Sequence, residues 1–161
     1  MVAFRKQFGF TLLELVFVLI LMSILSVGIY LKWPGSIINL GGQAYQLADD
    51  LRYTQTLSMT TGQRYRLVKT SANTYQIVNF AGTAIKLAMG NTSVTLNSGI
   101  TFGTLTNLPN SLVEFDGLGG PYTTATVPGT ALTSIATIPL TAGSDTVTVN
   151  ITPETGRVFV Q

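Results

Sequence analysis

The chain opens with a long apolar segment that contains a single charge. Residues 10–31 contain one charged side chain, that of Glu14. As a helix they would extend roughly 33 Å at about 1.5 Å per residue, which is enough to cross the hydrocarbon core of a bilayer. Arg5 and Lys6 precede the segment, so the positive-inside rule predicts a cytoplasmic N-terminus. We therefore predict a single-pass membrane helix, with the rest of the chain on the far side.

A second helical pattern follows, in which apolar residues recur every three or four positions. It predicts an amphipathic helix over residues 34–62, with Gly62 as its stop signal. Pro34–Gly35 and Gly41–Gly42 predict breaks or flexible points in this helix. The apolar positions that define the pattern are Ile37, Leu40, Ala44, Leu47, Ala48 and Leu51, with a weaker extension through Thr54 and Leu57.

From residue 63 onward the pattern changes to short strands separated by turns, rich in Thr, Val and Ile. We predict hairpins from RYRLVKT with TYQIVNF, from TAIKLAM with TSVTLNS, and from TVTVNI with RVFV. LVEF is a further strand before the turn DGLGGP, and residues 122–143 are predicted to form a loop. The predicted fold class is α+β, with a long N-terminal helix packed on an antiparallel β-domain over residues 63–161.

The amino-acid composition limits the catalytic and binding functions that the chain can have. The sequence has no cysteine and no histidine, which excludes disulfides, thiol nucleophiles, and Ser-His-Asp or Cys-His catalysis within the chain. We expect no enzyme activity and no cofactor. The formal charge is +2, but it comes from the two basic residues before the apolar segment, so the remainder is neutral and is a poor match to a general nucleic-acid binder.

Two groups of charged residues are candidate sites. Arg64, Arg66 and Lys69 form the basic cluster of the β-domain, and Arg52 is expected nearby on the helix. Glu114 and Asp116 alternate on one strand and are weak candidates for a metal site. We expect them instead to form a solvated strand end.

The residues GFTLLELVFVLILMSIL closely resemble the N-terminus of type IV pilin-like proteins, a family that includes the type II secretion pseudopilins. The resemblance implies that residues 1–9 are a leader peptide, which a prepilin peptidase removes between Gly9 and Phe10. The same enzyme would methylate Phe10. Residues 10–33 would then remain as the transmembrane and assembly helix.

The resemblance also implies a role for the isolated acid. Glu14 becomes the family's glutamate five residues from the new terminus, where the Phe10 ammonium of a neighbouring subunit can pair with it in a low-dielectric helix bundle. Implied partners are the peptidase, other pilins or pseudopilins, and the inner-membrane assembly platform. The implied location is the inner membrane with a periplasmic C-terminal domain, and then a pilus or pseudopilus.

Weaker features resemble one branch of the family. The stretches DDLRYTQTLSM, FDGLGGP and ITPETGRVFV are similar to the H-type pseudopilin of type II secretion and to related minor pilins, which implies a minor structural subunit. One alternative is an unprocessed, membrane-anchored β-domain, and another is a DNA-binding minor pilin of a competence system. Some of these use a C-terminal Gly-Arg-x-Arg element, of which Gly156 and Arg157 match the first half and Phe159 replaces the second arginine.

Overall fold

The computed structural model describes residues 11–30, 35–87 and 90–161. The chain divides into two compact units, Met1–Gly35 and Ser36–Gln161. The first contains helix α1, and the second contains nearly all of helix α2 together with nine strands in the residues that are described. The predicted α+β class is confirmed.

Helix α1 spans Leu12–Tyr30, within the predicted helix over residues 10–33. Phe10 and residues 31–33 of that prediction lie outside the described residues. Among the residues that the structure describes, no helix combines the length and the apolar character needed to cross a membrane.

Helix α2 spans Gly35–Thr61 and is continuous. The break predicted at Gly41–Gly42 is wrong. A glycine costs a helix about 1 kcal/mol relative to alanine, but Leu40 and Ala44 on either side are fully buried, and tertiary packing of this kind supplies most helical stability in proteins. The predicted stop is confirmed, since Gly62 has a φ of 67° and its N–H donates to the Ser58 carbonyl at 2.9 Å.

The buried face of α2 continues through two hydroxyl residues. Thr54 and Ser58 are fully buried, whereas Leu57 is half-buried. The Thr54 hydroxyl donates to the Asp50 carbonyl at 2.6 Å. The Ser58 hydroxyl donates to the Thr54 carbonyl at 3.1 Å and accepts from the N–H of Tyr65 at 3.1 Å. Each buried hydroxyl therefore has a partner, and Ser58 also fixes where the first strand begins.

Strands form two antiparallel sheets. The first sheet has the order β3-β2-β1-β5-β6 and the second has the order β4-β7-β8-β9. The strands of the first sheet are β1 (Tyr65–Lys69), β2 (Thr74–Asn79), β3 (Val94–Thr95), β5 (Leu112–Phe115) and β6 (Pro121–Tyr122). The strands of the second are β4 (Thr101–Phe102), β7 (Ala136–Ala142), β8 (Asp145–Ile151) and β9 (Val158–Val160).

Three predicted strand features are confirmed: the β1–β2 hairpin, the strand LVEF as β5, and the β8–β9 hairpin. The predicted hairpin from TAIKLAM and TSVTLNS is wrong in the described residues. Ala84 makes only an isolated bridge to Val78, and β3 pairs with β2 instead. The reason is that the chain folds back at Asn79, whose side chain and backbone both bond to Thr83.

The loop predicted over residues 122–143 contains a central strand, β7. Pro139 lies in the middle of it, and proline argues against a central strand because it lacks an N–H. Pro139 C=O accepts from the N–H of Gly103 at 2.8 Å. In a strand the N–H and C=O of a residue point to the same side, so the missing donor faces short β4, which ends at Phe102. The long ladder from β7 to β8 keeps its bonds.

The hydrophobic core lies between α2 and the two sheets. Its largest fully buried aromatic residues are Tyr75 and Phe115. Tyr75 of β2 meets Phe102 of β4 edge to face, with 6.1 Å between ring centroids, so this contact joins the first sheet to the second. Core residues are contributed by α2 and by strands of both sheets.

Candidate functional site

A hydrogen bond between a side chain and the backbone caps the N-terminus of α1. The Thr11 hydroxyl accepts from the N–H of Glu14 at 3.3 Å, and the Thr11 carbonyl accepts the helical bond from Leu15 at 3.2 Å. Thr11 is therefore the N-cap, and Glu14 occupies the third helical position, as in a capping box. An acid in the first turn also interacts favourably with the helix dipole.

The sequence interpretation missed Thr11. Its signal was a threonine three residues before a glutamate at the entrance to an apolar segment, which is a recognised N-terminal signature. Glu14 lies in the first turn of α1. Gly9 and Phe10, the predicted processing residues, lie outside the described residues.

The described side chains of α1 are exposed throughout. Residues 12–24 and Ser26 are all exposed, and they include Leu12, Phe17 and Ile24. The two serines satisfy their hydroxyls on the helix itself, through bonds to carbonyls one turn earlier. A soluble monomer rarely exposes so continuous an apolar surface, which marks an interaction surface for protein or lipid.

Within the second unit, two of the predicted basic residues converge on one acid. Arg64 Nη1 lies 3.1 Å from Glu114 Oε1, and Arg66 Nη1 lies 3.1 Å from Glu114 Oε2. Arg66 and Glu114 are directly opposite each other on β1 and β5. Glu114 is fully buried, so the predicted solvated strand end is wrong for this residue. The antiparallel pairing of β1 with β5 brings these three residues together, and the sequence alone does not reveal this pairing.

Arg64 also holds the segment after β6. Its guanidinium donates to the carbonyls of Thr126 and Pro128 at 3.1 and 2.8 Å and stacks over the Tyr122 ring, 4.3 Å from its centroid. Gly129, with a φ of 83°, lets the chain pass close to the guanidinium, since a Cβ there would lie 2.9 Å from Arg64 Nη1. Arg64 is thus committed to internal contacts.

An open groove of about 480 Å³ lies beside this cluster. It is lined by Gln63, Arg64, Asn79, Phe80, Ala81 and Val127. Phe80 and Val127 are 49% and 66% exposed, although both are large apolar residues. The groove lies at the end of the first sheet where β1 begins and β2 ends.

The other predicted basic residues do not join the cluster. Lys69 lies on the same strand face as buried Leu67, with its Nζ 5.7 Å from the Phe102 ring centroid. Arg52 pairs with exposed Asp49 at 2.6 Å and donates to the Val158 carbonyl at 2.9 Å. Arg157 is exposed and immediately precedes β9.

Asp116 has a local role in the turn after β5. Its Oδ1 accepts from the N–H groups of Leu118 and Gly120 at 2.9 and 2.8 Å. In the described part of the chain, no three acidic side chains converge in a way that could hold a metal ion. Asp116 and Glu114 therefore serve separate structures, a turn and a buried ion cluster.

A second acid, the half-buried Asp50, contacts the first sheet from α2. The Tyr75 hydroxyl donates to Asp50 Oδ2 at 2.5 Å. Burial raises the pKa of Asp50 above 3.8, the Tyr75 hydrogen bond opposes that rise, and nearby Asp49 adds to it. Burial, reinforced by Asp50, raises the pKa of Tyr75 above 10.0. At neutral pH, Tyr75 is the donor and Asp50 the acceptor.

Comparison with known proteins found matches for the N-terminal segment and for the fold. Residues 4–30 match the prokaryotic N-terminal methylation motif. This range includes Gly9, Phe10 and Glu14. Through this motif, and through the likeness of its fold to a type IV pilin, the chain is similar to type IV pilin-like proteins.

The fold is similar to crystal structures of the type IV minor pilin FimU from Pseudomonas aeruginosa PAO1. One has a TM-score of 0.57 at 13% identity, covering 78% of this chain and 90% of the FimU chain. Another has a TM-score of 0.54 at 14% identity, covering 76% and 92%. No curated protein sequence matches the chain. At this level of identity the structural likeness concerns the fold.

Proposed function

We propose that the chain is a minor pilin-like subunit without catalytic activity. A prepilin peptidase cuts the precursor between Gly9 and Phe10 and methylates Phe10. Residues 10–31 anchor the mature subunit in the inner membrane before assembly, with its second unit in the periplasm. It is then assembled with other pilins, on the inner-membrane platform, into a type IV pilus or a type II secretion pseudopilus.

The observation that carries this proposal is the arrangement at the start of α1. A capped helix presents one acid, Glu14, at the head of a continuous exposed apolar surface, inside a segment that matches the methylation motif. Apolar packing between helices would supply the cohesion of the fibre. Glu14 would supply register, because an acid buried in such a bundle needs a cation, and the Phe10 amine of a neighbour provides it.

The alternative, DNA binding, has less support. Arg64 and Arg66 are paired with Glu114, and Arg64 also donates to backbone carbonyls. Binding to DNA depends on cations that are free to neutralise phosphates and release counterions. The predicted basic cluster therefore retains little charge for that purpose.

Intact mass spectrometry of the protein from cells tests processing. We expect a chain that begins at Phe10 and carries one added methyl group. A Gly9→Val variant should keep residues 1–9, since a branched side chain beside the cut bond obstructs the peptidase. Recovery of wild type with its leader still attached, in cells with an active peptidase, would contradict the proposal.

Two variants separate the role of the acid from that of the cap. Glu14→Ala removes the carboxylate but keeps the backbone N–H that binds Thr11. It should be processed normally and enter sheared fibre fractions poorly. Thr11→Ala removes the cap, which costs the isolated helix about 1 kcal/mol, yet keeps the acid, so it should assemble nearly as well as wild type. Equal assembly of both variants would refute pairing through Glu14.

A further inference from the structure

The groove beside the buried ion cluster exposes two large apolar side chains, Phe80 and Val127, to solvent. Phe80 follows the end of β2, and Val127 lies in the segment that Arg64 holds. Neither belongs to the buried core, whereas Val78, two positions before Phe80, is buried. Covering Phe80 and Val127 would remove apolar surface from water, which favours association at about 25 cal/mol per Å².

The charge of the cluster restricts what can cover the groove. Two guanidinium groups share the single carboxylate of Glu114, so the cluster has one excess positive charge. The side chains of Arg64 and Arg66 are 17% and 12% exposed, so this charge still has some contact with water. A purely apolar partner would remove that contact and leave the charge uncompensated, which is costly. A partner with a carboxylate at this point avoids the cost.

We infer that this groove docks a neighbouring polypeptide that presents an apolar side chain beside an Asp or Glu. The apolar side chain packs on Phe80 and Val127, and the carboxylate balances the cluster next to Arg64. The inference rests on the proposed function, because a fibre subunit has protein neighbours at its surface. Nucleic acid fits less well, since one excess charge provides little phosphate neutralisation.

Photo-crosslinking of the full chain in its own cells tests the surface. Benzoylphenylalanine is placed at position 80 or 127, and at exposed Ile135 as a control, an apolar residue that does not line the groove. We expect protein adducts from positions 80 and 127 at several times the yield from position 135. Mass spectrometry should place the linked partner peptide within a few residues of an Asp or Glu.

A matched pair of charge variants tests the role of the cluster. Arg66→Gln removes the excess charge and leaves the bond from Arg64 to Glu114, so the carboxylate stays paired. Arg157→Gln removes one exposed charge elsewhere. Arg66 also donates to the Phe80 carbonyl at 3.4 Å, so the crosslinker is placed at position 127. There we expect Arg66→Gln to reduce the adduct roughly threefold to tenfold and Arg157→Gln to leave it unchanged. Thermal melting confirms that both variants are folded.

Each other outcome overturns the inference. These outcomes are the absence of groove adducts, adducts with nucleic acid, partner peptides lacking an acid, or an equal effect of the two charge variants. Mass analysis of the same cells shows whether Phe10 is the N-terminus. Absence of groove adducts from correctly processed protein would therefore refute the docking site without refuting the proposed function.

Discussion

Gly156 and Gly143 have the same φ of 62° but very different surroundings. A Cβ on Gly143 would meet nothing within 4 Å, whereas one on Gly156 would lie 2.6 Å from Gln55 Nε2 and 2.6 Å from the Gly119 carbonyl. Gln55 uses that nitrogen to donate to the carbonyls of Gly119 and Thr155 at 2.8 and 2.9 Å. At the scale of single residues, the absence of a Cβ on Gly156 thus leaves room for Gln55 of α2 to bond to two turns.

Alanine at these two glycines should separate backbone strain from crowding. Gly143→Ala bears only the left-handed conformation, a cost of about 1–2 kcal/mol. Gly156→Ala adds overpacking, so we expect its total to reach about 2–5 kcal/mol. Urea unfolding of the full chain in detergent, followed by circular dichroism, measures the difference. Equal losses in the two variants would show that Gln55 and the Gly119 carbonyl both move aside at no cost.

At the scale of elements, sequence patterns located α2 and three strand features but misjudged β7. Alternation and turn residues act locally, so the β1–β2 and β8–β9 hairpins could be read directly. The pattern around Pro139 could not, because proline is acceptable in a strand only if its missing N–H faces a site that needs no donor. That condition depends on β4, a strand more than thirty positions earlier in the chain.

The contact between α2 and β2 predicts a pH effect. Because burial raises the pKa of Asp50 above 3.8, its contribution to stability is full below pH 3.8 and is lost as pH rises through the raised pKa. Asp50→Asn keeps an acceptor for Tyr75 and cannot ionise. Its melting temperature relative to wild type should therefore increase between pH 3 and pH 7.

The control for this effect is Asp49→Asn. Asp49 contributes the smallest of the three influences on the pKa of Asp50, and its side chain is exposed. Scanning calorimetry of both variants across pH should give a clear pH-dependent difference for Asp50→Asn and a smaller one for Asp49→Asn. A difference for Asp50→Asn that does not change with pH would show that the carboxyl bears no burial cost.

At the scale of the whole molecule, the second unit has its own core. Among the residues whose burial the structure describes, the buried hydrophobic ones lie between Leu40 and Val158, within Ser36–Gln161. Burial of this kind provides most of the free energy of folding. We expect a chain that starts at Ser36 to fold alone, with a melting temperature within a few degrees of the corresponding transition of the full chain in detergent. Loss of cooperative melting in the shorter chain would show that residues before Ser36 are needed.

The sequence by itself determined the features that depend on neighbours along the chain. These are the two helices, the turns at glycine, the strands with regular alternation, and the methylation-motif segment with its single acid Glu14. Each follows from periodicity, capping or composition within a few residues.

Only the tertiary structure decided which distant residues share an environment. Glu114 meets Arg64 and Arg66 from 50 and 48 positions away, and this meeting turned an expected surface acid and basic cluster into a buried ion group. The physical reason is that burial and ion pairing are set by strand order and register, which arise when α2 and both sheets close on a common core.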